Sequence, residues 1–480
     1  MTVTDAMRDA NPSLIYFHRE MLCRSLDGRA IDLLTISDLR GIDLSTRIGL
    51  LGPERNIPLS SATGKAQGGT RRPYRFRNKT FVVLTARVHP GECPGSHMMH
   101  GALSFLLEPR DPRALMLREK FVFLIVPMIN PDGVVRGHSR VDAAGVDLNR
   151  MYSTPSPVRH PAPFCLRQLV LPIARENKLS LFVDMHAHAN RKGTFLYGNG
   201  LEGKRQVQNL LYAKLVALNT PYLEFTSCNY SEANMFAVSK SGKGKESSAR
   251  IVWYLETGCV HSYAIEASHV AGRFLNTLPR HPALAAEDLP PDQLTPRYTP
   301  ATFGDTGKAV LLGLLDLHNC NPWSRLLLTT AQTLKGMEAY IERQLMVEAA
   351  EKLFVLAYRD GTRGESANAA AASASSILQR IMLSLPPEEI PDKLTIRGVR
   401  TLPPVTVKGV REFLPMETAI ALLAQTPAAG PPRSIACPRV RSTSPRSRSS
   451  CVDVPAEIVA RRHTNGAKKR QASRSKSSSA

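Results

Sequence analysis

A histidine and a glutamate three residues apart are the first side chains in this chain whose spacing suggests joint chemistry. Within the stretch Phe81–Glu92, an apolar, β-branched run leads into His89 and Glu92, which are separated by Pro90 and Gly91. An imidazole nitrogen and a carboxylate on such a tight loop can reach one ion, and zinc accepts both ligand types. A lone His-x-x-Glu pattern is weak, because a surface turn gives the same letters. The zinc prediction therefore depends on residues downstream.

Two further residues complete a hydrolytic site. His186 directly follows the apolar segment Ser180–Met185, and Glu266 lies within the later segment Ser262–Ser268. Two histidines and one glutamate leave the fourth position of a zinc site for water. Zinc lowers the pKa of that water towards about 7. We therefore predict His89, Glu92 and His186 as ligands of one zinc ion, with Glu266 as the general base.

The elements that must position these groups indicate a sheet covered by helices. Near-continuous apolar runs precede His89 and recur at Phe121–Ile129 and Ser180–Met185, which is typical of strands buried on both faces. Helical spacing follows at Pro94–Leu107 and Gly203–Leu218. Polar side chains at the ends of buried strands are the arrangement of an α/β enzyme site. We predict an α/β fold.

Turn signals set the expected boundaries. Residues Leu14–Ile36 alternate around Asp27-Gly28 and predict a hairpin. Asn130-Pro-Asp-Gly133 is a strong turn signal after the second apolar run. The strand before His186 is expected to end there, so His188 is interpreted as structural.

Composition and charge restrict the class of protein. The chain has 480 residues and a formal charge of +21, and from residue 431 onward twelve Lys or Arg face only Asp453 and Glu457. Such a basic balance favours an acidic partner. Eight scattered cysteines without a Cys-x-x-Cys pair indicate reduced thiols inside the cell. The amino terminus lacks the apolar core of a signal peptide, and no run approaches the roughly 20 residues of a membrane span. We expect a cytoplasmic protein without a membrane partner.

Six ordered motifs now carry a resemblance. The sequence is similar to zinc carboxypeptidases of the carboxypeptidase A type, and within them to the cytosolic carboxypeptidase family, which removes glutamates from tubulin. The motifs are His89–Glu92, Asn130–Arg140, Gly145–Arg150, Asp184–His186, Lys245–Arg250 and His261–Glu266. Three further stretches look most like the member that removes the branch-point glutamate, namely Ile15–Glu20, Asp32–Ile36 and Cys320–Trp323. The resemblance implies a mixed β-sheet flanked by helices.

The resemblance also implies roles for residues outside the zinc set. Arg140 matches the arginine that stabilises the oxyanion, and Asp147 matches a carboxylate that orients the first zinc histidine. Asn149 and Arg150 match the pair that holds the terminal carboxylate of the substrate. Arg250 falls where the family places a cation in the side-chain pocket, which would favour glutamate. Glu266 would act as general base and later as proton donor.

Two interpretations from the residues alone stay open beside these roles. Without the motifs, Arg140 and Arg150 would be read as ordinary surface charges. Lys243 and Lys245 are interpreted as solvated loop lysines, although either could help to attract an acidic tail.

The resemblance covers residues 14–345, which we predict to be the catalytic domain after a frayed segment 1–13. Residues 346–427 predict a helical extension and a low-complexity linker. Residues 428–480 form a basic, Ser/Arg-rich tail whose composition predicts disorder, because it cannot offset the entropy of ordering.

The leading hypothesis is a zinc metallocarboxypeptidase that removes glutamate from polyglutamylated or acidic protein tails, tubulin above all. A second hypothesis is a zinc amidohydrolase acting on small acyl amino acids. A third is a non-catalytic protein that binds microtubules or nucleic acid through its basic tail. Microtubule association through the tail is compatible with the first hypothesis, which needs no nucleic acid. A cytoskeletal location and a nuclear pool follow from the tail, where Lys468–Arg470 resembles a nuclear signal.

Overall fold

A seven-stranded mixed sheet forms the centre of the protein. The computed structural model describes residues 15–48, 72–176, 178–238, 244–284 and 295–359. The strands, in chain order, are β1 (Ile15–Arg24), β2 (Ala30–Asp38), β3 (Ile42–Arg47), β4 (Tyr74–Phe76), β5 (Thr80–Ala86), β6 (Phe121–Val126), β7 (Leu179–His188), β8 (Thr194–Tyr197) and β9 (Ser262–Ser268). The sheet order is β1-β2-β6-β5-β7-β9-β8, and β3 pairs with β4 separately. Strands β6, β5, β7 and β9 run parallel, whereas β1, β2 and β8 are antiparallel to their neighbours.

Helices cover both faces of this sheet. In chain order they are α1 (Cys93–Leu106), α2 (Pro112–Lys120), α3 (Pro131–Val135), α4 (Pro161–Arg175), α5 (Gly203–Ala217), α6 (Glu232–Met235), α7 (Ala249–Thr257), α8 (Pro300–Leu317) and α9 (Leu334–Arg359). One apolar core packs α1, α5 and α8 against one face, and a second packs α4 and α7 against the other. Alternate residues of β5 belong to different cores, with Val82 in the first and Val83 in the second. The predicted α/β fold with a mixed, helix-flanked sheet is confirmed.

Several predicted elements are present with nearly the expected bounds. Strands β1 and β2 form the expected hairpin, with Gly28 at a φ of +78° in the turn. Helices α1 and α5 match the predicted helices to within one residue at either end. Strand β9 has the bounds of the predicted segment Ser262–Ser268. These elements have strong local signals, since each carries an uninterrupted apolar pattern or a glycine turn.

Two local predictions were wrong. The turn expected at Asn130-Pro-Asp-Gly133 is the start of the short helix α3, because the Asn130 side chain caps the helix by accepting a hydrogen bond from the Gly133 amide. Strand β7 does not end at His186 but continues to His188, which pairs with Ser268 of β9. Pairing with a neighbouring strand therefore sets the end of β7.

The parallel strands bring their carboxyl ends to one edge, where the register is specific. Ala86 of β5 pairs with Met185 of β7, and His186 of β7 pairs with Glu266 of β9. The loop that carries His89 and Glu92 follows β5 directly. The sheet thus places all four predicted groups at its carboxyl edge.

Parts of the predicted domain plan lie outside the described residues. The segment 1–13, residues 360–427 and the tail 428–480 are among them, and α9 covers the first part of the predicted helical extension. Among the helices of the described residues, none combines the length and apolar character needed to cross a bilayer.

Candidate active site

The three predicted metal ligands converge at the sheet edge. His89 Nδ1 lies 2.7 Å from Glu92 Oε1, and His186 Nδ1 lies 2.8 Å from Glu92 Oε2. One ligand atom from each residue falls within 4.8 Å of the other two. Two imidazole nitrogens and a carboxylate at this separation are a donor set that suits zinc.

The far nitrogen of each imidazole contacts a carboxylate. His89 Nε2 lies 3.2 Å from Asp147 Oδ1, and His186 Nε2 lies 2.7 Å from Asp184 Oδ2. Nε2 of each ring therefore faces a carboxylate of its own, whereas both Nδ1 atoms face the shared Glu92 carboxylate. A metal ion between the three residues would bind Nδ1 of each ring, with Nε2 donating its hydrogen to the outer carboxylate. Asp147 therefore lies where the sequence predicted an orienting carboxylate.

Asp184 is an orienting residue that the sequence reasoning missed. Its side chain is fully buried and also accepts a hydrogen bond from Thr85 Oγ1 at 2.7 Å. It lies two residues before His186 on β7, so both side chains project from the same face of the strand. This spacing of two along a predicted strand was the signal that could have identified it.

The charges of the site favour the ligand form of Glu92. Burial opposes ionisation of Glu92, but the charges and hydrogen bonds of His186 and His89 outweigh burial and hold the pKa of that carboxyl well below its usual range. Burial also lowers the pKa of His186, but the negative charges of Asp184 and Glu92 raise it above its ordinary value overall. Glu92 is therefore ionised, and its two oxygens face the two imidazoles. A metal ion between these three residues would contact a negatively charged ligand.

Glu266 differs from Glu92 in its surroundings. Its Oε2 atom is inaccessible to solvent and has no hydrogen-bond partner among the described residues. Burial raises the pKa of Glu266 to about 7, against the opposing charge of His186. An unpartnered carboxylate oxygen with a raised pKa beside the ligand set has the properties of a general base that works near neutral pH.

The residues predicted to hold the substrate surround the same pocket. This cavity of about 470 Å³ is lined by the ligands, by Glu266 and by Arg140, Asn149, Arg150 and Arg250. Asp147 Oδ2 accepts a hydrogen bond from Arg140 Nε at 3.0 Å and forms an ion pair with Arg140 Nη2 at 2.9 Å, and these contacts orient the guanidinium. Asn149 is held by the Ala249 amide, which donates to its Oδ1 at 3.2 Å. The structure thus brings the predicted ligands, Glu266 and the predicted substrate-binding residues together in one pocket, whereas Asp147 contacts His89 and Arg140 without lining it.

Two basic or polar side chains in the pocket were given other interpretations from the sequence. Lys245 was interpreted as a solvated loop lysine, but it is half-buried in the pocket wall, with its ammonium 5.4 Å from the centre of the Tyr197 ring. Burial lowers the pKa of Lys245, and the positive charges of Arg250 and Arg150 lower it further. His188 was interpreted as structural and also lines the pocket, since β7 extends as far as this residue.

Comparison with known proteins agrees with this geometry. A family model described as zinc carboxypeptidase matches residues 2–294. The chain belongs to the zinc carboxypeptidase family. Members of that family are peptidases, and the His89, Glu92 and His186 donor set fits the metal in the family name.

Curated relatives of this zinc carboxypeptidase bear cytosolic carboxypeptidase names. Cytosolic carboxypeptidase-like protein 5 from Danio rerio is 33% identical over 432 residues, covering 69% of this chain and 47% of the relative. Human cytosolic carboxypeptidase 1 is 34% identical over 264 residues, covering 54% of this chain and 19% of the relative. The chain thus spans about half the length, or less, of these relatives. These matches support the cytosolic carboxypeptidases as its group within the family.

A solved structure was also compared. The metallo-carboxypeptidase from Burkholderia cenocepacia aligns with a TM-score of 0.44 and 20% identity, covering 66% of this chain and 67% of that chain.

Proposed function

We propose that the protein is a zinc metallocarboxypeptidase that removes glutamate from polyglutamylated or acidic protein tails, with tubulin as the first substrate to test. The observation that carries the proposal is Arg250, a cation only 5% exposed that lines the same pocket as the ligand set and Glu266. Arg140, Arg150 and Lys245 line this pocket as well. A departing residue with two carboxylates suits a pocket with several cations.

His89, Glu92 and His186 would hold the zinc ion, which would supply a water of lowered pKa and a Lewis acid for the scissile carbonyl. Glu266 accepts a proton from the attacking water and delivers it to the departing amine. Its unpartnered Oε2 is the atom that we assign to this transfer. A carboxyl group whose pKa lies near the working pH can perform both halves of the transfer.

Arg140 is assigned to the oxyanion. Asp147 contacts Nε and Nη2 of this guanidinium, so both N–H groups of Nη1 remain as donors for the developing negative charge. A guanidinium fixed before the reaction stabilises that charge without reorganising. This arrangement couples Asp147 to two tasks, since its other oxygen contacts His89.

Asn149 and Arg150 are assigned to the terminal carboxylate of the substrate. Nη1 of Arg150 donates to the Asn149 carbonyl oxygen at 2.8 Å, and the buried Nε atom has no hydrogen-bond partner among the described residues. A buried donor without a partner is costly unless a ligand satisfies it. The substrate carboxylate would supply that acceptor.

The cellular part of the proposal is a cytoplasmic protein that acts on the cytoskeleton. The relatives are named cytosolic carboxypeptidases, and these names support a cytoplasmic location. The excess of basic residues after residue 431 supports association with acidic microtubule surfaces through the tail.

The test uses purified protein loaded with zinc and two glutamylated tubulin peptides, one with a single branched glutamate and one with a linear glutamate chain. Mass spectrometry should show release of glutamate from at least one peptide. A chelator should abolish release, and added zinc should restore it. If the zinc-loaded protein changes neither peptide but hydrolyses small N-acyl amino acids, the substrate assignment is wrong.

A further inference from the structure

Within the described residues, the hydrogen bonds of the Arg250 side chain all go to neutral oxygens. Its guanidinium donates to the carbonyl oxygen of Gly198, to Asn199 Oδ1 at 2.9 Å and to Asn234 Oδ1 at 3.3 Å. No carboxylate among the described residues forms an ion pair with it, and Glu266 acts on it only through space. A buried arginine is ordinarily paired with an acidic group, because an unpaired charge is costly to desolvate. Within the described part of the chain, the positive charge of Arg250 therefore has no paired counter-ion.

Asn199 is itself held in place by burial and by hydrogen bonds. It is fully buried, and its Nδ2 donates to the Ser262 carbonyl oxygen at 3.3 Å. Its own carbonyl oxygen accepts a hydrogen bond from Asn209 Nδ2 at 2.6 Å. Because Nδ2 is committed to an acceptor, the amide can present only its oxygen to Arg250. The surrounding hydrogen bonds thus select a neutral oxygen for this contact.

The position of Asn199 separates it from direct contact with substrate. Arg250 and Asn234 line the pocket, whereas Asn199 does not and contacts the guanidinium from behind. Ser262 Oγ, in turn, donates to the Arg250 carbonyl oxygen at 2.8 Å and fixes the backbone that bears the arginine. Any effect of Asn199 on substrate must therefore pass through Arg250.

We infer that Asn199 is a specificity-determining positioning residue, which orients Arg250 with an uncharged oxygen so that its positive charge is satisfied by an acidic substrate side chain. An aspartate in the same place would have the same shape but would form a buried ion pair with the guanidinium. The pocket would then keep its arginine and lose its net attraction for a carboxylate. This inference rests on the proposed function and adds to it the residue that maintains acidic selectivity.

The test compares two peptides that differ only in a terminal glutamate or a terminal glutamine, cleaved by the zinc-loaded full chain. In Asn199→Asp, the ratio of kcat/KM for glutamate over glutamine should fall by roughly tenfold or more, mostly through a higher KM for glutamate. Asn234→Asp, in a pocket-lining and partly exposed position, should lower the ratio in the same direction and supports the test if Asn199→Asp does not fold. Unchanged ratios in the folded variants would overturn the inference.

A matched control distinguishes the effect of an ion pair with Arg250 from the effect of added negative charge in the pocket. Asn190→Asp adds the same charge to an exposed part of the pocket wall, where no hydrogen bond to Arg250 exists. It should change the selectivity ratio by less than about threefold. An equal fall of the selectivity ratio in this control would show that the overall charge of the pocket, and not the contact between Asn199 and Arg250, sets selectivity.

Binding without turnover distinguishes this inference from the proposed function. The zinc-loaded protein should bind L-glutamate more tightly than L-glutamine by calorimetry, and Asn199→Asp should remove the difference. If the unmodified protein shows this difference but cleaves no peptide, the proposed hydrolysis fails while the inference stands. Equal affinity of the unmodified protein for the two amino acids would overturn the inference.

Discussion

At the scale of single residues, Glu266 and Glu92 show how surroundings assign different tasks to the same side chain. Glu92 contacts two imidazoles, whereas Oε2 of Glu266 contacts no hydrogen-bonding group of the described residues. We predict that Glu266→Gln lowers kcat by about a hundredfold or more, because the amide cannot accept a proton, and that zinc content is unchanged. Peptide assays combined with metal analysis would check both parts.

The control for this substitution is Glu232→Gln, which makes the same change at an exposed position at the start of α6. Its turnover should equal that of the unmodified protein. Retention of full activity by Glu266→Gln would show that another group is the base.

Asp184 gives a second prediction at this scale. Asp184→Asn should weaken zinc binding by about tenfold to a hundredfold, because a neutral amide orients and polarises His186 less well than a carboxylate. Competition with a chromogenic chelator would measure this loss. Asp147→Asn offers a comparison at His89, and it should also reduce kcat because Asp147 holds Arg140. Unaltered affinity in Asp184→Asn would contradict the orienting role.

The sequence predicted the site residues well where a motif connects them. It predicted them less well where residues distant in the chain meet only in the folded protein. His89 and Glu92 lie on one loop, so their spacing alone suggested a shared ion. Lys245 was interpreted as solvated because loop composition does not reveal that its segment folds over a pocket. The hydrogen bond from Arg250 to Asn199 joins residues far apart in the chain, and no local pattern indicates such a contact.

At the scale of elements, the first turn of α1 packs unusually closely on β7. A Cβ atom at Gly95 would lie 2.5 Å from the Met185 carbonyl oxygen, which is too close for any side chain. We predict that Gly95→Ala displaces this turn, moves Glu92 away from His186 and lowers both zinc affinity and the free energy of unfolding, the latter by about 1–3 kcal/mol. Chelator competition and denaturant unfolding would measure the two effects.

Gly304→Ala is the matched control in α8, where an added Cβ would lie 3.6 Å from its nearest neighbour, the Gly101 Cα. This change should leave zinc affinity unaltered and stability equal or slightly higher. Similar losses in both variants would attribute the effect to helix content instead of close packing.

His261, just before β9, links stability to pH. Burial, together with a smaller effect of the charge of His318, lowers the pKa of His261 to about 4. Between this value and about 6.5, the unfolded chain binds a proton that the folded chain does not, so acidification through this window reduces stability. His261→Phe should therefore lose less unfolding free energy between pH 7 and pH 5 than the unmodified protein, by on the order of 1 kcal/mol.

Denaturant titrations at several pH values would measure this difference. His100→Phe, at an exposed position of α1, should show the pH dependence of the unmodified protein. Parallel pH profiles for His261→Phe and the unmodified protein would refute the assignment.

Most elements could be predicted because their signals are local. The apolar runs before His89 and His186 indicated strands, and the hydrophobic spacing of α1 and α5 indicated helices. One wrong prediction arose because the same residue type occurs in both turns and helix caps. The other arose because pairing with a neighbouring strand sets where a strand ends. Asn130 suits both a turn and a helix cap, and β7 reaches His188 because β9 continues beside it.

At the scale of the whole molecule, the charge of +21 is concentrated in part after residue 431. We predict that deleting residues 430–480 lowers the affinity for glutamylated microtubules steeply at low salt and leaves kcat/KM for a short peptide unchanged. Cosedimentation at several salt concentrations, beside the peptide assay, would test this. Equal microtubule binding by both forms would show that the tail does not provide the contact.

Because His186 pairs with Glu266, metal binding and turnover depend on two different contacts within the sheet. Metal binding requires the loop after β5 to meet β7, and it needs nothing from β9. Turnover also requires β9 to lie in register beside β7, because a slip by one residue would turn Glu266 to the opposite face. When the sequence is unmodified, a preparation with full zinc content and low activity is therefore the result expected if β9 lies out of register beside β7.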